Sequence, residues 1–189
     1  SIDHGENWDS VNEGLGNLSV LSIAISPNFA QDKTIFAGLR AGGDTTSFGG
    51  GRFTLPDGGV YRSQNSGEKW DQVNDALVGN SVLALEVSPN YYSDRIVLAG
   101  TGGIGIHRSS DSGISWEQVF ILDKESNVRD IHIFVDRDGS IITMALASDI
   151  LFRSENFGDN WNRVFEDHAT QSQEFNLEPK NGMIYMEVN

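Results

Sequence analysis

The sequence has no cysteine, which excludes structural disulfides and thiolate metal sites within the chain. Proline is scarce, with 4 in 189 residues, so neither a polyproline linker nor a proline-rich disordered tract is present. Basic residues are also few. Thirteen lysines and arginines face 27 acids, a formal net charge of −14. No basic stripe exists to neutralise phosphates, which argues against a nucleic-acid partner, and the acidity disfavours anionic membrane surfaces. The excess acid serves solubility. Long apolar runs are absent too. The richest stretch, 141–152, is broken by Asp149 and falls short of the roughly 18 residues of a membrane span; no direct membrane insertion is expected. No signal-peptide pattern is visible, and a first residue of Ser1 suggests a processed or trimmed start.

Glycine, by contrast, is plentiful, with 21 residues, as in a chain with many tight turns. Four segments align without gaps: Ser1-Ile-Asp-His-Gly-Glu-Asn-Trp8, Ser63-Gln-Asn-Ser-Gly-Glu-Lys-Trp70, Ser109-Ser-Asp-Ser-Gly-Ile-Ser-Trp116 and Ser154-Glu-Asn-Phe-Gly-Asp-Asn-Trp161. The shared pattern is Ser-x-Asp/Asn-x-Gly-x-x-Trp, and every tryptophan of the chain closes one copy. The tryptophans stand 62, 46 and 45 residues apart. A period near 45 is that of one four-stranded propeller blade.

A second phrase keeps the same register. Residues 20–38 read VLSIAISPNFAQDKTIFAG and residues 82–100 read VLALEVSPNYYSDRIVLAG, with a looser copy at 128–145 and a truncated one from Ser172. Period-two alternation dominates, so each repeat resolves into four strands. Strand A precedes Ser-Pro-Asn, as in 82–87. Strand B follows an Asp-containing turn, as in 95–99. Strand C leads into the box, as in 105–109. Strand D starts at the tryptophan, as in 116–120. The expected fold is all-β, a partial propeller of antiparallel blades with about four represented. The expected divisions are a blade remnant at 1–18, blades at 19–78, 79–124 and 125–168, and a partial blade at 169–189. With one D strand in residues 1–13, this gives fifteen strands, one fewer than four whole blades. The chain is therefore expected to be part of a larger propeller, with closure by its own N-terminus or by self-association as alternatives.

The box is read as a structural turn in every copy. Asp3, Asn65, Asp111 and Asn156 can accept backbone N–H groups. Gly5, Gly67, Gly113 and Gly158 supply a positive φ. Trp8, Trp70, Trp116 and Trp161 then re-enter the sheet and fill the blade core, while Ser1, Ser63, Ser109 and Ser154 open each turn.

At these residues the sequence resembles the Asp-box (BNR) repeat superfamily, which includes sialidases, sortilin-type receptors, a photosystem II assembly factor, xyloglucan-hydrolysing enzymes and bacterial exported proteins. The phrase Ser-Pro-Asn…Asp…Ile-Phe-Ala-Gly looks most like the exported group. That resemblance implies an exported location, periplasmic, cell-surface or extracellular. It does not fix an activity, because enzymes and non-enzymes share the box. The arginine motif of sialidases is absent, with Arg52-Phe-Thr-Leu-Pro56 a distant echo, so sialidase activity is not expected.

Function is sought in the one departure from the period. The first interval carries extra residues between strands B and C, at 40–59, with Arg40, Asp44, Phe48, Arg52, Phe53 and Asp57 on a glycine-rich frame. Long loops in a tight repeat are often functional, and cations with aromatics suit a protein or glycan partner. The neighbouring D–A loops carry Asp75, Asp123, Glu125, Glu166 and Asp167, which could hold Ca²⁺ or supply an acid pair for a glycosidase, although acids are common throughout the chain and a solvated acidic face is the favoured reading. No cofactor is required by any motif. Gly100-Thr-Gly-Gly-Ile-Gly105 precedes a strand and not a helix, so no dinucleotide site forms. Asp136-Arg-Asp-Gly139 reads as a hairpin turn rather than a calcium loop. His4, His107, His132 and His168 show no zinc spacing. The leading expectation is a non-catalytic interaction module; the alternatives are a fragment of a glycoside hydrolase and an assembly factor or accessory subunit.

Overall fold

A computed structural model describes residues 1, 3–42, 46–48, 51–53, 58–73, 77, 80–122, 126–166, 175–180 and 183–188, with backbone alone described at 46–48, 51–53, 165–166, 175–180 and 183–188. In chain order the elements are β1 (Val20–Ile25), α1 (Phe29–Asp32), β2 (Ile35–Leu39), β3 (Thr46–Phe48), β4 (Gly51–Phe53), β5 (Gly59–Ser63) and β6 (Asp71–Gln72). There follow β7 (Val82–Val87), α2 (Tyr91–Asp94), β8 (Val97–Thr101), β9 (Ile106–Ser109) and β10 (Glu117–Phe120). The last are β11 (Val128–Val135), β12 (Ile141–Ala147), β13 (Ile150–Ser154), β14 (Asn162–Glu166), β15 (Phe175–Lys180) and β16 (Met183–Val188).

Three four-stranded sheets form, β1-β2-β5-β6, β7-β8-β9-β10 and β11-β12-β13-β14, each a blade in strand order A to D. The hairpins β15-β16 and β3-β4 stand apart as two-stranded sheets. All pairings are antiparallel. The chain is thus a partial β-propeller, with three whole blades and the inner hairpin of a fourth. One expected strand is missing: residues 9–13 carry the remnant's D segment but form no ladder. They lie against the next blade instead, where the Trp70 amide donates to the Glu13 carbonyl (2.8 Å) and Leu15 packs beside Tyr61 and Trp70. Strand B of the second blade starts at Val97 rather than Arg95 and strand D at Glu117 rather than Trp116.

The reason for the later start of strand B is local. The Ser-Pro-Asn phrase folds as a single helical turn that ends in a left-handed residue, Lys33 (φ 54°) or Arg95 (φ 58°). The Ser88 hydroxyl donates to Asp94 Oδ2 (2.5 Å), and Asp94 Oδ1 accepts the Ile96 amide (2.9 Å). Ser26, Asp32 and Thr34 repeat the arrangement.

The core lies between blades. One cluster joins Ala24, Phe36 and Val60 of the first blade to Leu85, Val87 and Trp116 of the second. Another joins Leu98 and Ile106 of the second to Ile131, Ile133 and Phe152 of the third. Close packing is enforced by glycine in strand B. A Cβ on Gly38 would stand 2.7 Å from Val82 Cγ1, and one on Gly100 would stand 2.6 Å from Val128 Cγ1. In each case the next blade's strand A occupies the space a side chain would take.

Candidate functional site

Because each sheet runs A-B-C-D, the A–B turns and the boxes share one end of the blades, and the B–C and D–A loops share the other. The two ends differ in how far their polar groups are already committed.

At the box end the repeat closes on itself. Ser63 Oγ accepts the Gly67 amide (2.9 Å) and donates to Asn65 Oδ1 (2.8 Å), which in turn accepts the Lys69 amide (3.0 Å). The same set links Ser109, Asp111, Gly113 and Ser115, and Ser154, Asn156, Gly158 and Asn160. Ser1, Asp3, Gly5 and Asn7 complete the series. The glycines have φ between 90° and 96°, and the residue before each is left-handed as well: His4, Ser66, Ser112 and Phe157. Hydrogen bonds from Ser1 and Asn7 lower the Asp3 carboxyl to about 2. At Asp111 burial works the other way, but the Ser115 and Ser109 bonds keep its pKa below the usual value.

Trp70, Trp116 and Trp161 pack with residues of their own blades, and the first two also reach beyond them. Trp70 Nε1 donates to the Val11 carbonyl (2.8 Å) and Trp116 Nε1 to the Val73 carbonyl (2.7 Å), each three residues beyond the preceding tryptophan. Each indole seals a joint with the preceding blade. Trp161 packs at the next joint, beside Val119 and Phe120, with its Nε1 unpaired. Trp8 is 79% exposed. Arginine does the reverse. Arg62 Nη1 donates forward to the Ser112 carbonyl (2.8 Å), and Arg108 Nη1 to the Phe157 carbonyl (3.2 Å). Burial opposes the Arg108 charge, but Glu117 and Asp159 outweigh it and raise its pKa. A shallow hollow of about 290 Å³ beside the second blade's box is lined by Arg108, Asp111 and Trp116.

The opposite end is stitched by backbone. The Arg40 amide donates to the Ser19 carbonyl (2.9 Å), Gly102 to Ser81 (3.0 Å) and Ser148 to Asn127 (3.0 Å). On this frame the 40–59 insertion leaves through a tight neck. The Ala41 amide donates to Ser81 Oγ (3.0 Å), and a Cβ on the buried Gly58 would stand 2.5 Å from the Ala41 nitrogen and 2.6 Å from the Asn80 carbonyl oxygen. Beyond the neck β3 and β4 pair from Thr46↔Phe53 to Phe48↔Gly51. The expected loop is therefore a hairpin on a pinched stem. Arg40 is exposed at the stem, Phe48, Arg52 and Phe53 lie in the hairpin strands, and Asp44 and Asp57 fall outside the described residues. So do Asp75, Asp123, Glu125, Asp167 and His168, as well as the Glu166 side chain. The GxGxxG segment is a B–C turn held by Thr101 Oγ1 donating to the Gly105 carbonyl (2.7 Å). Asp136 and Gly139 form a hairpin turn with Gly139 at φ 87°.

One cluster was not legible in the spacing. His132 on β11 stands between Glu86 of β7 (Nδ1 to Oε1, 3.6 Å) and Asp130 (Nε2 to Oδ2, 3.7 Å), all half-buried. Strands β7 and β11 pack side by side as the inner strands of adjacent blades, which brings together residues 46 positions apart. Among the described residues no group of three or more His, Cys, Asp or Glu is placed to hold a metal ion, and no helix is long and apolar enough to cross a membrane.

The model of the Sortilin-Vps10 family, described as sortilin, neurotensin receptor 3, matches residues 58–189. The chain belongs to the Sortilin-Vps10 family. Solved structures agree on the propeller. A GH74 xyloglucanase from Xanthomonas campestris superimposes with a TM-score of 0.61 at 17% identity, over 89% of this chain and 27% of that one. An ancestral GH74 enzyme gives 0.57 at 18% identity, over 80% and 19%. The extracellular domain of a putative one component system from B. thetaiotaomicron gives 0.52 at 14% identity, over 91% and 26%. This Sortilin-Vps10 chain thus spans about a quarter or less of these proteins, and at such identities the likeness is one of fold. No curated protein sequence matches it.

Proposed function

We propose that the chain is a non-catalytic interaction module of an exported or cell-surface propeller, which binds a protein or glycan partner through the end that carries the B–C and D–A loops. The observation behind this reading is the β3-β4 hairpin, carried in an insertion whose ends meet at Ala41 and Gly58. The box end offers less, since its serines, acids and amides are engaged in their own turns. A family description that names a receptor supports binding, and an extracellular domain among the structural neighbours supports export. A role as an assembly factor or accessory subunit uses the same surface and the same test.

The test compares the chain with a variant in which residues 43–56 are replaced by two glycines. Both are applied to glycan and peptide arrays. The expected result is binding by the parent and loss in the variant at unchanged melting temperature. Equal binding by both would move the site off the hairpin, and turnover of glycosides by the parent would replace this reading with a hydrolase.

A further inference from the structure

The joint between the second and third blades brings Ala84, Leu98 and Ile106 against Ile131 and Ile133. A polar group crosses this apolar packing. Glu86 of β7 reaches β11, where its Oε1 accepts the Ile133 amide at 3.3 Å and stands 3.6 Å from His132 Nδ1. The other ring nitrogen of His132 faces Asp130 Oδ2 at 3.7 Å, and Asp130 Oδ1 accepts the Ile131 amide at 3.0 Å. Glu86 and His132 hold the same place in their A strands as Ala24 does in β1: Ala24 pairs with Phe36, Glu86 with Leu98 and His132 with Met144. The first joint thus has a buried alanine where the second has Glu86.

A neutral imidazole donates from one nitrogen and accepts at the other, whereas a carboxylate only accepts. Between two carboxylates, a neutral ring therefore turns one lone pair toward a charged oxygen. The imidazolium donates from both nitrogens. The three side chains are 25–28% exposed, so water screens their charges only in part. We propose that His132 is an acid-tightened clasp: protonated, it ties the inner strands of two blades together through Glu86, and neutral, it lets that tie go. On β11 itself Arg129 is exposed. Of the other strands packed on β11, β8 and β12 carry no titratable residue, and β15 carries Glu178 and Lys180, whose side chains lie outside the described residues. The folded chain holds the proton between two carboxylates and the unfolded chain does not. This contribution to stability is therefore complete below the ordinary histidine value of about 6.5 and is lost as the pH rises above it. The sign is opposite to that of His107, where burial lowers the pKa.

Two readings test the clasp. NMR titration of the imidazole protons follows His132 directly. Its midpoint is expected to fall in Glu86→Gln and in Asp130→Asn, near-isosteric changes that keep an oxygen for the Ile133 and Ile131 amides, while the midpoint of His4, in the first box, does not move. The second reading is the opening of the joint. With no native cysteine, Ala84→Cys places a single thiol where Ala84 is buried, and its labelling rate reports local opening. The rate in the Glu86→Gln background is divided by the rate in the Glu86 background at the same pH, which cancels the thiol's own ionisation. That ratio is expected to be about fivefold or more near pH 5.5 and to fall toward one by about pH 8. A His132 midpoint that neither substitution moves overturns the proposal. So does a moved midpoint with the same opening ratio at both pH values, which would make the cluster a charge pair that ties nothing.

Discussion

Trp116 and Val73 lie in different blades, yet the indole Nε1 of one donates to the carbonyl of the other at 2.7 Å. The bond links two sheets that share no ladder. Trp116→Phe keeps most of the buried ring but orphans the Val73 carbonyl, a loss of about 1–3 kcal/mol. Trp8→Phe, at a residue that is largely exposed, is expected to change stability by less than about 0.5 kcal/mol. Urea unfolding of the two variants checks the contrast.

Glycine tolerance should split by position. At Gly105 (φ 91°) an added Cβ would stand 1.9 Å from the Phe120 carbonyl oxygen, whereas at Gly139 (φ 87°) it meets nothing within 4 Å. Gly139→Ala is expected to cost about 1–2 kcal/mol, the strain of a left-handed alanine. Gly105→Ala adds a backbone clash to that strain, so its thermal midpoint should fall further. Comparable midpoints would show that the 101–105 turn can re-form.

His107 gives a pH dependence with a definite sign. Its ring is buried with Nδ1 unpaired, and burial lowers its pKa. The unfolded chain therefore takes up the proton more readily than the folded one. The stability this group contributes is complete above its unfolded pKa of about 6.5 and is lost as pH falls through that value toward the folded one. Tyr61 and Phe152 hold the equivalent place in the other blades, so His107→Phe is expected to flatten the curve of unfolding free energy between about pH 7 and pH 5. An unchanged slope would assign the effect elsewhere.

A second, more acidic dependence belongs to the boxes. Asp3 and Asp111 have lowered pKa values. Their contribution is present above the unfolded value near 3.9 and is lost as pH falls through the folded value. Asn already fills this position in two boxes, at Asn65 and Asn156, with the same backbone bond. Asp111→Asn is therefore expected to keep neutral-pH stability within about 0.5 kcal/mol and to reduce the loss below pH 4. Acid titration followed by circular dichroism measures both.

The sequence showed the blades because a box serves its own local backbone. The hydroxyl of Ser109, the carboxylate of Asp111 and the φ of Gly113 act within a few residues, so their spacing carried the turn and the strands on either side. The one-turn helix at 91–94 was legible only as an Asp-containing turn, because two bonds from Ser88 and Ile96 to Asp94 decide between helix and bend. The pairing of His132 with Glu86 was not legible, since it depends on two A strands lying side by side.

The role of the tryptophans marks the same boundary. Period alone made them core residues, and it could not say whose core. The local sequence determined four-stranded blades, their order and the place of the long B–C insertion. Tertiary structure decided that Trp70 and Trp116 reach backward, that Arg62 and Arg108 reach forward, and that Ile23 stays open where Leu85 is closed. The physical reason is that a turn is closed by hydrogen bonds among neighbours in sequence, whereas burial depends on which sheet arrives from a distance.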